Sequence, residues 1–599
     1  MAGSGALAAI GPAVDRPTRS ANGGRPRWQR VDGIRARWLW AAGVLGAALA
    51  LGPALGPGSL LSLDLVLTPR IPFPDAVVGL GHELPRRVPL GAPLSWASDV
   101  VGGPTAGKLF LGAAITTAFV GAASLTRRGP RSAPPFASLM AGALYALGPF
   151  MLTRVGAGHL AIVATVAVLP FALPHLVAPE RDPSRTFLWL VAMGLTGVFG
   201  GLVGVAVAAT GWAFGSNRRL RSVPAFALGA ALAQLPWLVP GLLLRGRGLS
   251  LAPGDAFATS SEGPLGVVGG LLAQHGFWRG ASQVGGVAGP GLVALGVGLA
   301  LLAVVGTRDL PASWRRPLVT LGALGLVAAA SPAVPGLDRL HAAATGTVAF
   351  APLRDTQRLL ALFLLWAAPC AALGVTRLVR ARPESEALIW AAALAATTAL
   401  IVPGLWGVEG RLRPVEFPAG WTRVEHVLRD EPGAVLALPW HEYLNLGFAD
   451  DRRVLNPMPD YLGGDVVWSH DPELGRRRFQ EGTDPREAEA TALVEAMTAG
   501  RPTGTALADL GVRWVVLVEE ADAADYGALR ADPGLRLVVD DPAVTLYEVR
   551  GPIAPPPPRG WGSRPANVSL TLGADALVLA AASFAWTRRR QSRAATDIA

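Results

Sequence analysis

Charges are sparse along long apolar runs of this chain and return between them as short basic clusters. A helix needs roughly 20 mostly apolar residues to cross about 30 Å of hydrocarbon, and several runs reach that length. They predict membrane spans at about 38–55, 106–126, 136–152, 159–178, 223–243, 289–306, 317–332, 357–378, 386–404 and 570–587. A tight turn at Arg154–Gly158 separates two of them. The stretch 187–214 is too long for one comfortable helix and is broken at Gly200–Gly201. It reads as two short helices returning to one side, with a tilted single helix as the alternative. Counting it as two gives about 12 spans. The predicted fold class is an α-helical polytopic membrane protein with a small extracytoplasmic α/β domain near the C-terminus.

The basic clusters set the topology. Arg25, Arg27, Arg30, Arg35 and Arg37 precede the first apolar run, which reads as an uncleaved signal anchor with its N-terminus in the cytoplasm. From that start, Arg127/Arg128/Arg131, Arg181/Arg185, Arg218/Arg219/Arg221, Arg308/Arg315/Arg316, Arg377/Arg380/Arg382 and Arg588–Arg590 all fall on the cytoplasmic side. Both termini are then cytoplasmic, in a multi-pass protein of the cytoplasmic membrane. Loops 56–105 and 244–288 and the region 406–565 face outward. Arg86–Arg87 and Arg245/Arg247 break the bias mildly and suggest an anionic partner outside.

The expected organisation is a basic tail (1–37), a membrane domain (38–405), an α/β domain (406–551), a proline-rich linker (552–569), a last helix (570–587) and a short tail (588–599). Within the α/β domain, "AVLALPW" (434–440) and "RWVVLVEE" (513–520) are short apolar runs bounded by turn residues and read as buried strands. "DPREAEATALVEAMTAG" (484–500) reads as a helix. "LRLVVDD" and "VTLYEVR" read as a closing hairpin. Asn567-Val568-Ser569 is a nominal glycosylation acceptor.

Composition agrees with insertion. Of 599 residues, 51% are hydrophobic and 16% charged, against about 25% charged in a soluble protein. The net charge of +10 lies beside apolar runs, so it reads as a topology signal and not as a nucleic-acid surface. Lys108 is the single lysine, and arginine carries nearly all the positive charge. The single cysteine, Cys370, excludes an intramolecular disulfide and a cysteine-based zinc cluster. Phosphate-cradling glycine loops, zincin pairs and nucleophile elbows are absent from the sequence.

Candidate chemistry gathers in the outward segments. Loop 56–105 carries Asp64, Asp75, His82, Glu83 and Asp99 in an apolar setting. Asp64 lies in the frame Leu63–Asp64–Leu65, where partial burial would raise its pKa toward that of a useful general base. A solvated loop is the bland alternative. Arg154 and His159 bracket the turn in "LTRVGAGHLA", either as interfacial anchors or as paired donors for an anionic lipid headgroup. In "AFAPLRDTQRLL", Arg354 and Arg358 are four apart and would share one helix face. Their planar forks suit phosphate oxygens; anchors paired with Asp355 are the alternative. Trp278, beside Arg279, is an interfacial anchor or a sugar-stacking surface. Trp440, His441, Glu442, Tyr443, Asp460, Tyr461, Asp465, Trp468, His470 and Asp471 mix aromatics with carboxylates, as carbohydrate sites and ordinary loop surfaces both do. His441, Glu442 and His470 lack tight zinc-ligand spacing.

A long outer loop after the first span, many spans and then an outer domain resemble the GT-C type of membrane glycosyltransferase. "LDLVLTPRIPF" (63–73) resembles the start of the first outer loop in the AftD-like arabinofuranosyltransferase family. "YALGPFMLTRVGAGHLAIVATVAVLPF" (145–171), "GVVGGLLAQHGFW" (266–278) and "PLRDTQRLLAL" (352–362) resemble segments of that family and of YfhO-like membrane proteins. "ADLGVRWVVLVEE" and "VTLYEVR" are similar to the end of the outer domain in the latter group. The resemblance implies a polyprenyl-phosphate sugar donor, a cell-envelope glycan or lipid acceptor, and the bilayer as partner, with no nucleic acid. It implies Asp64, with Asp75 second, as the carboxylate that deprotonates the acceptor, and Arg354 and Arg358 as holders of the lipid phosphate. The chemistry would need no nucleotide, and a divalent cation is compatible. The chain lacks the extensive carbohydrate-binding region of that family and the paired acidic residues of some GT-C families. Two rivals stay open: a flippase or transporter of a lipid-linked substrate, and a non-catalytic scaffold with an outer binding domain.

Overall fold

A computed structural model of the chain describes residues 27–81, 87–129, 133–178, 182–215, 223–244, 254–345, 353–474, 478–482, 484–555 and 564–598. His82, Glu83, Arg86, Arg131, Arg181, Arg218, Arg219, Arg221, Arg245 and Arg247 lie outside the described residues, as do Arg25 and residues 556–560 of the proline run.

The fold is mostly helical, with a sheet region near the C-terminus. Among the described residues, eight helices are long and apolar enough to cross a membrane. The pair Phe226–Leu232 and Leu235–Leu243, bent by 57°, makes a ninth if it is one span. Two more expected spans appear as the shorter apolar helices Leu160–Leu176 and Val198–Phe214. Length and apolarity therefore support fewer than the expected 12 or so full spans. The stretch 187–214 does form two helices, Pro183–Gly194 and Val198–Phe214. The break falls at 195–197, and Gly200–Gly201 lie inside the second helix. These two helices pack side by side, and Gly197 at their junction lies against the Val88 carbonyl.

Helix Leu360–Ala381 is the centre of the bundle and is buried from Leu360 through Thr376. It packs on Pro290–Gly306, Ala312–Ala330 and Pro135–Ala146. Glycine permits the closest of these crossings. A Cβ on Gly306 would lie 1.9 Å from the Cys370 carbonyl oxygen, and one on Gly374 would lie 2.1 Å from that of Leu302. Lipid tails are as apolar as leucine, so such close backbone approach supplies the attraction between helices.

The sheet region holds five strands in the order Val466–Val467, Ala434–Leu438, Val512–Val518, Val544–Val549 and Leu535–Asp541. The first three are parallel and the last two close an antiparallel hairpin. Helix Ala419–Asp430 covers one face through Trp421 and Val424, while Glu487–Thr498 and Gly504–Asp509 cover the other. Burial on both faces explains why the central strands read as continuous apolar runs.

The first outer loop ties this region to the bundle. Strand Ser59–Ser62 pairs antiparallel with Leu65–Val66 on one side and with Pro414–Val415 on the other. Lys108 anchors the loop from below, donating to the carbonyls of Gly56 and, at 2.7 Å, Gly58. Two outward features find partners inside the protein. Arg87 pairs with Asp460 at 2.6 Å, so its place against the topology bias is met by an internal carboxylate. Asn567 is buried and donates to the Gly79 carbonyl at 3.1 Å, which leaves its amide inaccessible to a glycan.

Candidate active site

Asp64 occupies the turn between strands Ser59–Ser62 and Leu65–Val66. Leu63, just before it, adopts a φ of 48°. The Leu63 N–H donates to the Arg453 carbonyl at 2.9 Å, and its carbonyl accepts from Leu455 N–H at 2.8 Å. This stitches the hairpin tip to strand Arg452–Leu455 of the outer region. The Asp64 N–H donates to the Ala157 carbonyl at 3.1 Å, so the helix turn 157–159 supports it from the membrane side. Only glycine fits that turn: Gly158 has a φ of 77°, and a Cβ there would come 2.0 Å from Leu65 N. The Asp64 carboxylate is then held from two sides. Oδ1 accepts from the Tyr443 hydroxyl at 2.6 Å, and Oδ2 lies 3.3 Å from His159 Nε2. Its side chain is 31% exposed, so an incoming hydroxyl can still reach it.

Arg154 is fully buried beneath this turn. It grips Asp355 with both Nη atoms, Nη2 to Oδ1 at 3.0 Å, and donates as well to the Gln357 side-chain oxygen. His159 Nδ1 lies 2.8 Å from Arg154 Nη1, which orients the imidazole so that Nε2 faces Asp64. The guanidinium stacks over Phe277 at 4.8 Å, and Gln357 Nε2 donates onward to the His275 carbonyl at 3.2 Å. Burial pushes the Asp355 carboxyl up, but Arg154 pulls it further down, so it stays below the usual carboxylate range. The expected role of Arg154 as a free headgroup donor gives way to an internal one, because every direction around its fork is filled by protein.

Arg354 and Arg358 do not share a helix face. The helix starts at Leu360, preceded by the tight turn Thr356–Leu359, and Arg354 lies before both. Arg354 pairs with Glu481, whose side chain is buried, and stacks over Phe257 at 4.8 Å. Arg358 points the other way, over Phe199 at 5.3 Å, and its Nε is buried with no hydrogen-bond partner among the described residues. Of the three expected phosphate-holding arginines, Arg358 is the one with no carboxylate salt bridge among the described residues.

Next to the Asp64 turn, at Ser62 and Leu63, lies a cavity of about 390 Å³. Ser62, Leu63 and Gly156 form one wall, and Arg279, Arg411, Arg413, Arg452 and Arg453 crowd the others, with Glu409 and Asp450. Arg453 stacks over the Tyr443 ring at 5.2 Å, which links the cavity to the Asp64 contact. Sequence reasoning missed Arg411, Arg413, Arg452 and Arg453. The available signal was basic density in "GRLRP" and "DDRR" on the side that the charge bias leaves poor in arginine.

The other expected residues stand apart from Asp64. Asp75 is exposed at the start of the turn Asp75–Val78, which packs against the last helix, Arg564–Ile598. Trp278 is half-buried and edge-on to Phe257 at 5.1 Å. Trp440 packs against the sheet core and donates to Thr491 Oγ1 at 3.2 Å. Trp468 is 6% exposed within the opposite core, which leaves no ring face for a sugar. His441 is clasped by Glu473 and, at 2.9 Å from Nε2, by Asp522. These two hydrogen bonds raise its pKa to about 10. His441, Glu520 and Asp522 offer ligand atoms all within 4.8 Å of one another, a set that fits a divalent cation once the imidazole loses its proton. His470 does not join them; it pairs with Glu487 at 3.2 Å.

No protein-family profile matches the sequence, and no curated protein matches it. Among solved structures, the chain is similar to the cryo-EM structure of the arabinofuranosyltransferase AftD from Mycobacteria, with a TM-score of 0.60 and 19% identity. A mutant of the same protein, in its second class, gives a TM-score of 0.56 at 19% identity. Each alignment covers 86% of this chain but only 40% and 42% of the other, so the chain spans less than half the length of these neighbours. This chain is a multi-pass membrane protein with the GT-C-type glycosyltransferase fold.

Proposed function

We propose that the protein is a membrane glycosyltransferase. It moves a sugar from a polyprenyl-phosphate donor to a cell-envelope acceptor at the outer face of the cytoplasmic membrane. The observation that carries this reading is the Asp64 carboxylate. It is held by Tyr443 and His159, and the adjacent Leu63 lines a cavity where the first loop, the bundle and the sheet region meet. The similar solved structure is that of an arabinofuranosyltransferase, which favours sugar transfer over transport.

In the step, the acceptor hydroxyl gives its proton to Asp64 while its oxygen bonds to the anomeric carbon of the donor. The bond from that carbon to the phosphate oxygen breaks, and its electron pair leaves with the polyprenyl phosphate. Tyr443 and His159 orient the base. Arg358, set among the apolar helices, receives the leaving phosphate; Arg354 and Arg154 are already spent on Glu481 and Asp355. No nucleotide takes part.

Asp64→Asn keeps the shape of the side chain and its contact with Tyr443 but cannot accept the proton. With a polyprenyl-phosphate sugar as donor, turnover by the purified variant falls by about 10²–10⁴ while its melting temperature holds. Unchanged turnover would remove Asp64 as the base and this mechanism with it.

A further inference from the structure

Five arginines and two carboxylates line the cavity beside Asp64, a formal excess of three positive charges. Like charges gathered in a partly desolvated space repel one another unless an anion joins them. The carboxylates present do not balance the set. Glu409 is taken by Arg411 at 2.8 Å, and Asp450 is mostly exposed and 3.7 Å from Arg452. Arg453 reaches Glu473 only at 3.5 Å, and its Nε is buried without a hydrogen-bond partner among the described residues. Arg279 and Arg413 pair with no carboxylate among the described residues. Burial and the nearby Arg453 push the Arg279 pKa down, and the opposing pull of Asp64 and Tyr443 does not offset them.

The walls say where the anion comes from. They are the first-loop strand at 62–63, the loop at 279–282, the chain at 409–413 and the strand turn at 450–453. All lie at or beyond the ends of the candidate membrane helices, whereas Arg358, in the turn that opens helix Leu360–Ala381, packs over Phe199 at the start of helix Val198–Phe214. A lipid-borne phosphate approaches from the bilayer; a ligand in this cavity approaches from water.

We infer that the arginine-lined cavity is an acceptor subsite, and that the acceptor is an anionic glycan bearing phosphate or carboxylate groups next to the hydroxyl that Asp64 deprotonates. The guanidinium forks of Arg279, Arg413 and Arg453 bind its oxyanions, and the neighbouring hydroxyl enters over Leu63 toward Asp64. The word acceptor rests on the transferase reading above; the anion site itself does not.

Binding to the full chain in detergent tests this without turnover. The probes are inorganic pyrophosphate and trigalacturonate, which separate phosphate from carboxylate recognition, with neutral maltotriose as the control. Saturable binding of at least one anionic probe is expected, weakening as salt rises, with none for maltotriose. Arg279→Gln with Arg413→Gln weakens it by at least about tenfold, as loss of charge-assisted contacts predicts. Asp450→Asn, which removes a competing carboxylate, tightens it and keeps the test decisive if the double variant fails to fold. Three results overturn the inference: neither anionic probe binds, the arginine variants bind it undiminished, or saturating polyprenyl monophosphate displaces it, which would give the cavity to the donor. Unaltered turnover in Asp64→Asn, with probe binding as expected, would instead fault the transferase reading and leave the anion site standing.

Discussion

Arg154 shows how a residue marked by its place beside a tight turn can be engaged inside the protein. Its position next to a tight turn suggested a headgroup donor, yet both its Nη atoms are engaged by Asp355, Gln357 and His159. Arg154→Ala would leave Asp355 charged and largely buried, at a cost of about 3–5 kcal/mol. It would also release the imidazole that faces Asp64. The expected result is a lowered melting temperature in detergent together with lost donor turnover. His441 carries a second residue-scale prediction. Its pKa is raised from the ordinary 6.5 to about 10 by Asp522 and Glu473. A raised pKa means that the folded state holds the proton more tightly than the unfolded chain does. The stabilisation is therefore complete below about pH 6.5 and fades as pH rises through about 10. Melting wild type and His441→Gln at pH 6, 8 and 10.5 should show the gap between them closing at the top of that range.

Elements were the most legible level. Apolar length found the long helices, and short apolar runs found strands Ala434–Leu438 and Val512–Val518 and the hairpin that closes the sheet. Both signals are local, so they survive without knowledge of neighbours. Boundaries that depend on packing did not survive. The break in 187–214 lies at 195–197, and Gly200 and Gly204 sit inside the second helix, where Met193 crowds them. Two helices there predict that residues 182 and 215 share a side. In a Cys370→Ser background, a membrane-impermeant maleimide added outside should label Glu489→Cys on the exposed face of helix Glu487–Thr498 and spare Gly215→Cys. Labelling of the latter from outside would mean a single crossing.

At the scale of the molecule, the bundle wears its apolar residues outward. Leu301 and Val304, Leu388 and Leu394, and Leu579 and Phe584 are all more than half exposed on peripheral helices, a belt suited to lipid and costly in water. Above that belt, two cationic places flank Asp64. Arg358 stacks over Phe199 just before helix Leu360–Ala381, and the arginine cavity is lined by the first-loop strand and the turn at 450–453. In the proposed reaction the first would serve the lipid-borne partner and the second the water-borne one. It also explains why the outer region is stitched through Leu63 to the hairpin tip: the two halves of the site belong to different parts of the chain.

From sequence alone came the membrane class, the placement of most helices, the strands of the outer region and the choice of Asp64. Each rests on a property of a short window: apolar length, charge bias, or a carboxylate in an apolar frame. The tertiary structure decided which charges were free. Tyr443 meets Asp64 across 379 positions of sequence, and Glu481 removes Arg354 from service across 127. Pairing between charges so distant depends on how the helices and the sheet bring them together, and no local pattern in the chain encodes it.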